Sequence, residues 1–189
     1  MEADWGVEIG PDAPAIVVPW DGFIDLRSDS SSAVETIAEA SSVVPLRDAL
    51  IRLNSRESRT FTSKCDVWWL TSEAIDHDEF GTDSESAAFG FASYIDVLLL
   101  EANQFASFKF HERLVKQLAG KLRTVDLANC RVDLVVRAST VDSCSGYGIT
   151  VYTAGCGQSP GEAQTSWQEV LQRAVNATIE NVPLCALGE

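Results

Sequence analysis

The clearest alternation of apolar and polar positions runs from Phe105 to Ile179. Phe108, His111, Val115, Leu118 and Leu122 recur at steps of three and four, which sets them on one stripe of a helix facing a core. Lys109, Arg113 and Lys116 share another stripe, so the helix has a buried side and a basic side. Over residues 131–137 the period becomes two, with Val132, Leu134 and Val136 alternating with Asp133, Val135 and Arg137. That is a half-buried strand. A Ser- and Gly-rich turn at 142–146 leads to residues 147–153, where β-branched and aromatic residues again suit a pleated surface. The two strands read as a hairpin. Ser159 then caps a helix, with Pro160 in its first turn and Glu162 three residues after the serine, which together form a capping box. Trp167, Val170, Leu171, Ala174 and Thr178 make its inward stripe over 160–180, and Pro183 prevents continuation past Asn181.

The first half is patterned less sharply. Residues 15–26 mix Ile16, Val17, Val18, Trp20, Phe23 and Ile24 with Pro19 and Gly22, as expected of a strand that ends at a turn or lies at a sheet edge. Ser32 and Glu35 match a second capping box and predict a helix start; Pro45 breaks that helix or opens another, with Leu46, Leu50 and Leu53 facing inward. Residues 65–70 read as a strand with Trp68 and Trp69 on opposite faces. Residues 73–86 read as an exposed acidic loop, and 89–100 as a longer strand.

The order βαββαββα predicts an α+β fold: a two-layer sandwich of a largely antiparallel sheet with helices on one face. Its specific version is a ferredoxin-like βαββαβ core with an added strand and helix. Segments 44–100 and 107–153 both read as αββ, through either duplication or two ordinary units. With 189 residues, 46% of them hydrophobic, and no Pro- or Gly-rich linker, the chain is expected to be one domain, 1–189.

Charge narrows the possible partners. The 28 acids exceed the 14 bases, a net charge of −14, which disfavours the like-charged backbone of nucleic acid. Residues 1–42 hold nine acids and one base, and residues 65–106 nine acids and no base. No apolar run reaches membrane-spanning length, and the acidic start lacks the form of a secretory signal. Five cysteines without a CxxC spacing suit reduced thiols rather than a disulfide framework. The expected setting is cytoplasmic, without membrane insertion.

Candidate chemistry is sparse. Cys156, between two glycines and just ahead of a helix start, is a candidate thiol nucleophile. The surrounding loop lacks the dinucleotide, phosphate-loop and phosphatase patterns, so a small buried thiol is the simpler reading. His111 falls on an apolar stripe, as a core histidine does, whereas His77 stands among loop acids without zinc or EF-hand spacing. Asp66, Asp96 and Asp133 each lie in a predicted strand and would form a metal-dependent hydrolytic site only if they converged; pairing with Arg131, Arg137 or the basic helices explains them without chemistry. No metal or other cofactor is implied.

The favoured expectation is a non-enzymatic accessory, assembly or inhibitor-like protein that contacts a basic protein partner. The alternative is a small enzyme using Cys156 or the three aspartates. The predicted contact surface is the acidic loop with Asp76, Asp78 and Glu79, anchored by Phe80, together with Trp5 and Trp20 near the acidic N-terminus.

Overall fold

The computed structural model of the protein describes residues 1–11, 15–82 and 87–182. Six strands form one mixed sheet: β1 (Glu2–Glu8), β2 (Ile16–Val18), β3 (Thr60–Leu70), β4 (Phe89–Leu99), β5 (Cys130–Val141) and β6 (Cys144–Gly157). The main path runs β1-β5-β6-β4-β3, and β2 lies beside the far end of β5. The α+β class is as expected. The antiparallel part is β5-β6-β4-β3, whereas β1 and β2 both run parallel to β5. β1 answers to no element expected from the sequence, although Ala3, Trp5 and Val7 alternate with polar or small neighbours. The strand expected over 15–26 shortens to three residues.

The helices are α1 (Ser30–Ala33), α2 (Ala38–Ser42), α3 (Val44–Leu53), α4 (His77–Phe80), α5 (Ala102–Phe105), α6 (Phe108–Arg123) and α7 (Pro160–Asn181). Local chemistry accounts for their starts. Ser159 Oγ accepts from the Glu162 amide, and the Glu162 carboxylate accepts from the Gln158 amide, so the expected capping box closes one residue further back than its usual form. Ser107 caps α6 by accepting from the Phe110 amide. Pro45 opens α3 rather than breaking it. The Ser32 cap does not form: Asp29 caps α1, and Ser32 supplies the amide that it accepts.

Alternation along the strands sorts the sheet into two faces. On one, Val132, Leu134, Val136, Ile149, Val151, Phe91, Ile95 and Val97 join the main core with Leu50 of α3, Leu118 of α6, and Trp167 and Leu171 of α7. Gly155 lies under α7, where any Cβ would collide with the Trp167 backbone; its missing side chain lets helix and sheet meet. A buried polar chain runs through this layer, from Trp167 Nε1 to Ser93 Oγ (2.9 Å) and on to Thr153 Oγ1 (2.8 Å). It satisfies groups that would otherwise be costly to bury.

The expected hairpin of β5 and β6 is present. Its turn is two residues, Asp142 and Ser143, both with positive φ (46° and 71°), the geometry that matches the twist of paired strands. β3 and β4 form the second hairpin, and β4 pairs antiparallel to β6. Exchanging the two hairpins leaves the order β3-β4-β6-β5 unchanged. Among the described residues no helix is long and apolar enough to cross a membrane.

Candidate functional site

Among the described residues, the second face of the sheet is covered at its two ends. At one end Ile75, Phe80 and Ala87 pack over Cys156, with Leu70 and Ala154 beside them. At the other, Ile16, Val18 and Phe105 pack with Phe61 and Leu98. Between these caps the register lines up Asp66, Tyr94, Tyr152 and Asp133 in one row across four strands. The tyrosine rings lie 6.0 Å apart, and Trp68 continues the aromatic surface 6.3 Å from Tyr94.

All three strand aspartates share this face, but they do not converge. Asp66 and Asp133 are separated by three strand spacings, roughly 14 Å. Asp133 is held by Arg131 (2.7 Å), which also pairs with Glu79. Asp96 is 7% exposed and accepts from Thr150 Oγ1 at 2.6 Å. Burial pushes its carboxyl above the ordinary range, opposed by the Thr150 hydrogen bond and by Arg137 and Lys64. Asp66 is exposed and accepts from the Val67 amide at 2.7 Å. No group of three or more His, Cys, Asp or Glu among the described residues is placed to hold a metal ion.

Cys156 lies inside β6, rather than in a loop before α7, and is 0% exposed. Burial pushes its thiol up to about 11, the reverse of what activates a nucleophile. The helix start three residues later does not offset this, because Cys156 is turned towards the Ile75–Phe80 cap. Cys65, Cys130, Cys144 and Cys156 are free thiols; Cys185 lies outside the described residues. His111 is fully buried on α6, its Nδ1 2.9 Å from the Ser107 carbonyl. Burial holds it below its ordinary value of 6.5, as a neutral core histidine.

The acidic segment has more structure than a loop. Asp76 accepts from the amides of Asp78 and Glu79 and caps the single turn α4. Phe80 is 6% exposed, so the side chain expected to anchor a partner points inward instead. Local sequence gave no such sign, because the surface it covers, Cys156 and Ala154, belongs to β6, far along the chain. Residues 83–86 of the same expected loop lie outside the described residues. Trp5 is half-buried against the main core with the Lys116 ammonium 4.7 Å from its ring. Trp20 is exposed, and Lys64 lies 5.2 Å from its ring centroid.

What sequence reasoning missed is the edge. β3 has no strand partner on its outer side among the described residues. Trp68 and Trp69, 36% and 47% exposed, stand on opposite faces of this edge strand, as their adjacency predicted. Trp69 leans on Phe91 (4.8 Å, edge-on), and Phe91 in turn on Trp167 (4.9 Å). The exposed indole therefore rests on a row of aromatics that reaches the core. Phe89, also exposed, lies two residues from Phe91 on the neighbouring strand. Along the same edge a cavity of about 420 Å³ opens between residues 20–24, residues 36–39 and Ser63 to Asp66, with Tyr94 also in its lining. A free strand edge, large exposed aromatics and an adjoining cavity are the parts from which strand-addition binding sites are made. No family model, curated protein or solved structure matches the chain.

Proposed function

We propose that the protein is an accessory, assembly or inhibitor-like factor that works by contact with another protein, and that the outer edge of β3 is the contact. The observation that carries this reading is the exposure of Trp68 and Trp69 on a strand whose outer backbone groups have no strand partner among the described residues. Unpaired strand edges invite pairing, and exposed tryptophans are the side chains most often found to dominate binding energy. Trp69 is held in place by Phe91, so it is pre-organised rather than mobile. The net charge of −14 favours a basic partner and faster encounter at low salt. A cytoplasmic setting fits the free thiols.

The test is to recover partners from native extract on the wild-type protein and on a Trp68→Ala/Trp69→Ala variant whose thermal unfolding is checked. Loss of the same partner from the folded variant, with association that slows as salt rises, supports the reading. A partner held equally by both proteins would exclude this edge as the contact.

A further inference from the structure

We infer that the cavity beside β3 receives an arginine or lysine side chain from an extended partner segment that pairs with β3 over residues 65–70. This rests on the strand-edge reading and adds the chemistry of what binds there. Glu39 and Asp66 both line the cavity, and among the described residues neither makes an ion pair. Asp96 lies outside the lining, on the neighbouring strand two residues beyond Tyr94, with Thr150 donating to one of its oxygens. Against these two lining carboxylates the cavity holds one base, Lys64. The field is felt by its neighbours: burial first, then Glu39, Asp66 and Asp96, push the Cys65 thiol up to about 12. Burial, Asp96 and Asp66 do the same to Tyr94. Trp20 lines the same cavity, and a cation already lies 5.2 Å from its ring, the ammonium of Lys64. An aromatic face in a cavity that also holds carboxylates is a place for a second cation.

The geometry also sets the partner's direction of approach. β3 breaks register with β4 between Thr62 and Cys65, and Ser63 Oγ reaches the Val17 carbonyl. An added strand can therefore pair beyond Cys65 but not before it. Its residue level with Asp66 would then share the face of Asp66 and Tyr94 beside the cavity, while Trp68 and Trp69 flank its remainder. The occupant is a β-prone segment with one basic residue near one end, and Lys64 occupies the indole until it arrives.

The probe is a library of random octapeptides displayed on phage and selected on the whole protein. The expected winners carry one arginine or lysine beside β-branched residues, and bound peptide shifts the amide resonances of residues 65–70 and the Trp20 indole. Asp66→Asn and Glu39→Gln should each weaken a selected peptide by about fivefold, the upper range for a solvent-exposed ion pair. Lys64→Ala should leave binding unchanged or tighter. Winners that are acidic or uncharged, an empty selection, or binding lost in Lys64→Ala would overturn the inference. So would sedimentation showing that the free protein dimerises through this edge and that Trp69→Ala abolishes the dimer. Failure of the inference alone is recognisable: a native partner would still need Trp68 and Trp69 yet ignore Asp66→Asn and Glu39→Gln.

Discussion

Replacing Phe80 by alanine tests whether the segment after β3 is held down as a lid over Cys156. The ring is 6% exposed and shares a small cluster with Ile75, Ala87 and Cys156, separate from the main core. Removing a buried phenylalanine costs about 3–5 kcal/mol in a large core. A peripheral cluster can collapse partly, so the lower figure, about 3 kcal/mol, applies here. Because the cluster fastens one segment to the sheet, the loss should fall on local opening rather than on global unfolding. At about 1.4 kcal/mol per decade, the opened population should rise roughly 100-fold. Cys156 reports it directly. While covered, its thiol is pushed up to about 11 and is inert; when the segment lifts, it becomes an ordinary thiol. The assay is alkylation of folded protein in a Cys144→Ser/Cys185→Ser background, read peptide by peptide by mass spectrometry. Cys130, buried on the helix-covered face with its thiol pushed up to about 12, is the internal control. Labelling should accelerate at Cys156 and not at Cys130. Equal acceleration at both, or none at Cys156, would refute the idea of a separately fastened lid.

Three further outcomes follow from the same packing. Asp96→Asn should stabilise the protein near neutral pH: the native carboxyl titrates above its ordinary 3.8, so its stabilising protonated form is lost as pH rises through the native value. Denaturant midpoints of the two proteins should converge below about pH 4 and diverge above; a variant less stable at pH 7 would contradict the burial argument. Gly155→Ala should cost at least about 1–3 kcal/mol, because α7 must shift away from the sheet, and the near-ultraviolet signal of Trp167 should change with it. Ser159→Ala should cost about 1 kcal/mol by removing the acceptor for the Glu162 amide, measurable as a lowered melting temperature without loss of helix content.

What the sequence determined by itself was everything that depends on near neighbours. The stripe through His111, Leu118 and Leu122, the Ser159-Pro160-Glu162 start of α7 and the opposite faces of Trp68 and Trp69 all follow from periods and caps spanning a few residues. The β5–β6 hairpin follows likewise, since the turn lies inside it. Tertiary structure decided what depends on register across the sheet. β1 reads as a short acidic stretch until it pairs with β5, well over a hundred residues later, where Ala3 meets Val132 and the Arg123 side chain donates to the Ala3 carbonyl. Phe80 reads as an exposed aromatic among acids until the segment folds Ile75 and Ala87 around it and lays it over Cys156 of a distant strand. Asp66, Asp96 and Asp133 could be placed on strands from the sequence. Only the pairing of β3, β4, β6 and β5 shows them spread along one face, with Asp133 held by Arg131 and Asp96 buried beside Thr150. The edge of β3, unpaired among the described residues, is the extreme case: an edge is defined by what fails to pair with it, and no local pattern encodes the absence of a neighbour.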